Sequence, residues 1–183
     1  MPPRKATPVP DHLDFRPVDE ATVGDFESLF DGPGGPRHCW CMVWRRSAAE
    51  AKANDPASRR RQMMQRIAAG TPVGLVAYGD GQPIGWVSVA PRETYRNLGG
   101  PEAKAGESIW SIACFYVPRQ YRGQGMVRRL IAAAIAHASV KGQRWSRPIR
   151  CRQTRRAIGS WGSWRSSPRR VSGRSARPGS GGG

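Results

Sequence analysis

The sequence has few acidic residues, and they are unevenly distributed along the chain. Its 183 residues include 30 Lys and Arg against 13 Asp and Glu, a formal charge of +17. All the acids lie within residues 1–140, whereas residues 141–183 carry 12 Lys and Arg and no acid. The strongly basic character therefore belongs to the C-terminal segment. The remainder has the length and composition of one globular domain.

Long apolar runs are also lacking. No stretch approaches 18 consecutive apolar residues, and residues 1–10 contain no apolar core ahead of a small-residue cleavage site. The four cysteines (Cys39, Cys41, Cys114 and Cys151) are scattered in a chain long enough to fold without disulfides. These features predict an unexported cytoplasmic protein with reduced thiols and no membrane partner.

Glycine, proline and capping residues divide residues 12–140 into alternating strands and helices. Residues 1–11, rich in proline and polar side chains, predict a disordered lead. Asp19 and Asp55 stand where the N-caps of two helices are expected. The predicted elements in chain order are a short strand around Phe15, a helix over 20–30, a helix from Pro56 to Gly70, a hairpin with strands at 73–78 and 83–89, a buried strand over 109–117 and an alanine-rich helix over 126–139.

A glycine-containing turn, Gln120-Tyr121-Arg122-Gly123-Gln124-Gly125-Met126, joins the last predicted strand to the last predicted helix. Glycines allow the backbone to turn tightly and to expose its amides, and the first N–H groups of a helix have no intrahelical acceptor. Such a turn favours an anion. A pyrophosphate group is the natural ligand, with Arg122 available to add positive charge.

Through Gln120-x-x-Gly123-x-Gly125, the sequence resembles the GNAT acetyltransferase superfamily, whose acetyl-CoA motif is Gln/Arg-x-x-Gly-x-Gly/Ala at a strand-to-helix junction. The order of the preceding elements also fits, so the resemblance covers roughly residues 12–140. It implies an α+β fold with a mixed central sheet flanked by helices. It further implies an acetyl-CoA-dependent N-acetyltransferase whose acceptor is an amine on a small molecule or peptide.

The resemblance also implies which residues bind acetyl-CoA. Backbone groups of Phe115, Tyr116 and Val117 would pair with the pantetheine arm. The pyrophosphate would lie against the turn that starts at Gln120, on amides of Arg122, Gly123, Gln124, Gly125, Met126 and Val127. A dinucleotide-binding fingerprint does not fit, because Arg128 stands where its third glycine is required.

No catalytic residue can be assigned from the sequence, and two candidates remain open. Glu107 could act as a base through water, or it could be an exposed carboxylate at the start of a strand. Tyr116 could donate a proton to the leaving thiolate, or it could be a packed strand tyrosine. Attack of an amine on a thioester needs groups in both roles.

The segment from Arg37 to Arg45 is rich in aromatic and sulfur-containing side chains. His38, Cys39 and Cys41 are metal-ligand types, but they supply at most three ligands and no second pair follows at zinc-finger spacing, so no metal site is predicted. Trp40 and Trp44 predict instead the wall of a partly apolar acceptor pocket.

Residues 141–183 lack the apolar periodicity of a folded segment, although the family resemblance places further strands and a helix there. One explanation is a disordered basic tail that binds nucleic acid through its arginines and through Trp145, Trp161 and Trp164. The other is a change of reading frame, because back-translation one nucleotide earlier permits a strand and a Gly-Phe turn. In that case the C-terminal strands and helix are missing, and activity of this chain is in question.

Overall fold

The computed structural model describes residues 7–96, 98–100, 102–105 and 108–140, and the backbone of 144–145. The strands and helices in chain order are β1 (Asp14–Pro17), α1 (Val23–Asp31), α2 (Pro56–Ala68), β2 (Leu75–Gly79), β3 (Gln82–Pro91), β4 (Ile109–Tyr116), α3 (Met126–Val140) and β5 (Arg144–Trp145). The predicted order of strands and helices over residues 12–140 is confirmed. Within the described part of the chain, no helix is long and apolar enough to cross a membrane.

The five strands form one mixed sheet in the order β1-β2-β3-β4-β5. The first four strands pair antiparallel, and β5 pairs parallel to β4. The β2–β3 connection is the predicted hairpin. Asp80 and Gly81 have φ of +50° and +75°, the left-handed conformation that two-residue hairpin loops require. The expected α+β fold with a mixed sheet and flanking helices is confirmed.

Helices cover both faces of the sheet and enclose two apolar cores. The helices α1 and α2 cover one face, where Phe26 and Phe30 pack at 5.6 and 5.1 Å, between ring centroids, from the buried ring of Trp86. The helix α3 covers the other face, where Leu130 and Ala134 are fully buried against side chains of β3 and β4. The chain thus buries β3 and β4 at the centre, as the apolar strand over 109–117 predicts.

The start of α2 agrees with the sequence prediction, whereas the start of α1 does not. Asp55 caps α2 by accepting the Ser58 N–H at 2.8 Å. The predicted helix over 20–30 begins only at Val23, because Asp19 forms a turn instead of a cap. Its carboxylate accepts the N–H groups of Ala21 and Thr22 at 3.0 and 3.2 Å.

Candidate functional site

The glycine-containing turn connects β4 to α3 as the sequence predicts. After β4 the chain passes through one short 3-10 turn, Arg119–Tyr121, and reaches Gly123 and Gly125, both at φ +78°. Residues with a side chain rarely adopt this conformation, and no atom lies within 4 Å of the position of a Cβ at either glycine. The turn therefore leaves open space directly above its own backbone.

Five successive backbone amides of this turn have no acceptor within the part of the chain that the structure describes. Among the residues that the structure describes, no hydrogen-bond acceptor is found for the backbone N–H of Gly123, Gln124, Gly125, Met126 or Val127. The positive end of the α3 dipole adds to their charge. This arrangement matches an anion such as pyrophosphate, and it brings the predicted glycines and amides together in one place.

Two predicted side chains of the turn are engaged in other contacts. The Arg122 Nε donates to the carbonyl of Val117 at 2.8 Å, which fixes the end of β4 against the turn. The Gln124 side chain donates to the carbonyl of Gln120 at 3.2 Å. These two hydrogen bonds fix the shape of the turn and do not involve the backbone N–H groups of residues 123–127.

The segment Thr7–Asp11 lies against the same turn, although the composition predicts a disordered lead there. Gln124 donates to the carbonyl of Thr7 at 2.8 Å and accepts the Val9 N–H at 3.0 Å. Arg129 of α3 donates to the carbonyls of Pro10 and Asp11. Sequence reasoning missed this contact, because no pattern links residues more than 100 positions apart.

Within the described part of the chain, one edge of β4 is unpaired beside the turn. Among the described residues, β5 pairs with Ile109 and Trp110, whereas Phe115 and Tyr116 pair on their other side with β3. In the described part of the chain no strand lies alongside the second half of β4. Backbone groups there can pair with an extended ligand, and Val117 leads from this edge directly to the turn.

Neither catalytic candidate gains support. Tyr116 is 9% exposed and packs 6.1 Å, between ring centroids, from Phe30, which agrees with the packed strand tyrosine. Burial raises the pKa of Tyr116, and nearby Arg122 partly offsets this effect. Glu107 lies outside the described residues.

Most of the Trp40 side chain packs in the core, although Trp40 also borders a shallow cavity of about 220 Å³ beside His38 and Arg60. This side chain is only 2% exposed and stacks on Phe30 at 5.3 Å between ring centroids. Trp44 is half-buried at the end of a short 3-10 turn. Within the described ranges no group of three or more His, Cys, Asp or Glu side chains could hold a metal ion.

A cavity of about 480 Å³ opens at the far end of β3, away from the glycine-containing turn. Its lining includes three arginines, Arg45, Arg46 and Arg96, and one acid, Glu93. The sequence analysis assigns no role to Arg45. Its position at the end of an apolar segment could have indicated a buried, hydrogen-bonded charge.

Arg45 is the most deeply buried of these cations. It is 4% exposed and donates to the carbonyl of Val73 at 2.8 Å and to the Ser88 hydroxyl at 3.0 Å. Its guanidinium lies 4.1 Å from the ring centroid of Tyr95. Desolvation lowers the pKa of Arg45. The partners of Arg45 are carbonyl and hydroxyl groups, so no carboxylate among them neutralises its guanidinium.

Solved structures of acetyltransferases are similar to the chain at low sequence identity. An aminoglycoside N-acetyltransferase in complex with CoA is 18% identical, with a TM-score of 0.50 over 78% of this chain and 79% of that chain. An aminoglycoside 6′-N-acetyltransferase from Acinetobacter haemolyticus is 20% identical, with a TM-score of 0.49 over 77% and 81%. A ribosomal-protein-alanine N-acetyltransferase from Brucella melitensis is 17% identical, with a TM-score of 0.49 over 84% and 96%.

At these sequence identities the similarity concerns the fold alone. The similarity to the CoA-bound aminoglycoside N-acetyltransferase agrees with the mixed sheet and flanking helices. The sequence has no match among the curated proteins. None of the comparisons supports nucleic-acid binding, and apart from the backbone of 144–145 the basic segment 141–183 lies outside the described residues.

The sequence itself identifies the family. The model of the acetyltransferase (GNAT) family matches residues 39–145, more than half of the chain. The match includes β2 to β4, the glycine-containing turn and α3. The chain belongs to the GNAT acetyltransferase family, as the motif at Gln120–Gly125 predicts.

Proposed function

We propose that this protein binds acetyl-CoA at the junction of β4 and α3 and transfers the acetyl group to an amine. The observation that carries the proposal is the row of five amides over 123–127 that have no acceptor in the described part of the chain, beside the open edge of β4. A pyrophosphate needs such donors, and a pantetheine arm carries amides that pair with a strand edge. Membership of the GNAT family supports both assignments.

The proposed contacts follow the chain from β4 into α3. The backbone of Phe115, Tyr116 and Val117 pairs with the pantetheine arm. The amides of the turn bind the pyrophosphate, and the exposed guanidinium of Arg122 adds charge beside it. Acetyl-CoA supplies a thioester. An uncharged amine attacks the thioester carbonyl, and CoA leaves as a thiolate.

The acceptor amine reaches the thioester from the end of β4 nearest Ile109. The arginine-lined cavity beside Arg45 lies at this end of the sheet and is large enough for a small molecule or a peptide terminus. Amines of both kinds are named for the solved relatives, as aminoglycosides and as a ribosomal-protein alanine. We therefore propose a small-molecule or peptide amine as the acceptor class.

Isothermal titration calorimetry with CoA tests the binding step. We expect CoA to bind the full chain, and pantetheine, which lacks the pyrophosphate, to bind much more weakly. Arg122→Ala should weaken CoA binding about tenfold, because it removes one cation beside the pyrophosphate. Arg119→Ala is the control, since Arg119 is also exposed and lies three residues earlier. A folded protein without measurable affinity for CoA would contradict the proposal.

Mass spectrometry of candidate amines incubated with acetyl-CoA and the protein tests the transfer step. Acetylated product above the level without protein supports the transferase assignment. Retained CoA binding without transfer to any amine of either class would refute the transfer step for this chain while leaving the binding site in place.

A further inference from the structure

The three cysteines within the described residues come together on the face of the sheet that α1 and α2 cover. Cys41 lies in the segment before α2, and its Sγ is 3.0 Å from the Sγ of Cys114 on β4. The Cys41 backbone N–H donates to the Sγ of Cys39 at 3.4 Å. All three are free thiols. Cys114 directly precedes Phe115, whose backbone belongs to the proposed pantetheine site, and its Sγ lies 3.8 Å from the Phe115 carbonyl oxygen. The proposed acetyl transfer assigns no role to the three sulfurs.

The backbone is strained where it presents these sulfurs. Trp40 and Cys41 have φ of +45° and +49°, a conformation that costs a residue with a side chain about 1–2 kcal/mol. Burial of the Trp40 ring against Phe30 and Phe26 holds the segment in this conformation. In this left-handed conformation the buried Cys41 side chain reaches Cys114 of β4, which is 73 positions away in sequence.

The environments of the Cys39 and Cys41 thiols differ, and the difference favours oxidation at Cys39. Cys39 is half-buried, and a hydrogen bond from the Cys41 thiol, helped by the nearby Arg59, lowers the pKa of Cys39 to about 6. Cys39 is therefore mostly a thiolate at neutral pH, the reactive form toward peroxides. Burial raises the pKa of Cys41 well above its ordinary value, so this residue remains a thiol.

We propose that Cys39, Cys41 and Cys114 form a peroxide-reactive site in which oxidation joins Cys41 to Cys114 in a disulfide. The short distance between the sulfurs of Cys41 and Cys114 requires them to approach by only about 1 Å to reach bonding distance. The bond would tie the segment before α2 to β4.

The oxidation balances with hydrogen peroxide as the only oxidant. The Cys39 thiolate attacks one oxygen of the peroxide, the O–O bond breaks, and a sulfenic acid and hydroxide form. Cys41 attacks the Cys39 sulfur, and the hydroxyl of the sulfenic acid leaves as water. Cys114 then attacks the Cys41 sulfur, loses its proton to the hydroxide and regenerates the Cys39 thiolate. In sum, two thiols and one peroxide give one disulfide and two waters.

Peptide mapping of the full chain tests the linkage. The reduced protein is freed of reductant, treated with hydrogen peroxide, alkylated and digested under denaturing conditions. We expect the Cys41 and Cys114 peptides to become linked, with a mass lower by two hydrogen atoms, and Cys39 to remain open to alkylation. Cys151→Ser is the matched control and should leave this linkage unchanged. Recovery of Cys41 and Cys114 as free thiols after the treatment would overturn the proposal.

Kinetics in a Cys39→Ser variant tests the role assigned to the thiolate. At pH 7 about nine-tenths of a thiol with the pKa of Cys39 is ionised, against about 3% of an ordinary cysteine. Cys41, whose pKa burial raises, is less ionised than an ordinary cysteine, so we expect the variant to form the Cys41–Cys114 linkage at least about 30-fold more slowly. An unchanged rate would refute the assigned path. In Cys114→Ser the Cys41–Cys114 bond cannot form, and we expect a disulfide between Cys39 and Cys41 instead.

Discussion

Replacement of Gly123 by Ala separates the backbone strain of the turn from its proposed role in CoA binding. Gly123 has φ +78°, and a Cβ there would meet no atom within 4 Å in the free protein. The variant therefore loses stability only through the left-handed conformation, at a cost of about 1–2 kcal/mol. For a chain of this length the melting temperature should fall by about 3–6 °C.

The effect on CoA affinity has a different origin. The open space above Gly123 is where we place the pyrophosphate, and a methyl group there pushes the phosphates away from the turn amides. Loss of one charge-assisted hydrogen bond corresponds to about 2 kcal/mol, or an affinity about 30-fold lower. Isothermal titration calorimetry measures this loss directly.

Gly81→Ala is the matched control for this experiment. Gly81 lies in the β2–β3 hairpin at φ +75°, also with no atom within 4 Å of a Cβ, so the strain is the same. We expect both variants to lower the melting temperature equally, and only Gly123→Ala to weaken CoA binding. Equal affinity in the two variants would refute the location of the pyrophosphate site.

Three further predictions concern the rest of the chain. Arg45→Met should lower the free energy of unfolding in urea by about 2–3 kcal/mol, because it leaves buried acceptors unpaired. Glu50→Gln removes a carboxylate whose pKa Arg66 lowers to about 2. The ionised pair stabilises the fold above pH 5. In urea denaturation, the free energy of unfolding of the variant should therefore be about 1 kcal/mol below that of the unsubstituted protein at pH 5 and above, and this difference should shrink as the pH falls from 5 toward 2. Sequencing the gene across codons 138–183 should reveal an adjacent frame that encodes a strand, a helix and a Gly-Phe turn, and its absence would favour a genuine basic tail.

Local sequence patterns predicted the elements whose cause is itself local. Asp55 caps α2, and Gly123 and Gly125 shape the turn, because capping and left-handed backbone depend on a few neighbouring residues. The start of α1 was wrong for a related reason. Asp19 can satisfy backbone N–H groups either as a cap or within a turn, and the pairing of Thr22 with Asp19 and Pro17 favours the turn.

Contacts between distant segments could not be predicted from one sequence. The aromatic composition of the segment around Trp40 does not show how deeply its rings are buried, and only the packing on Phe26 and Phe30 of α1 places most of the Trp40 ring in the core. Likewise, nothing in the spacing of Cys41 and Cys114 indicates that their sulfurs meet. Their contact depends on the register of β4 in the sheet and on two left-handed residues before α2.

The candidate site has one part that depends on local sequence and another that depends on contacts between distant segments. Only the first part could be predicted from the sequence. The glycine-containing turn is a continuous segment, so its glycines and helix start predict both its shape and an anionic ligand. The unpaired edge along the second half of β4 is seen only in the sheet of the described residues, and the cavity beside Arg45 forms where two distant segments, 45–51 and 93–96, pack together. The proposed CoA-binding half of the site is therefore accessible to sequence reasoning, whereas the proposed acceptor half depends on tertiary packing.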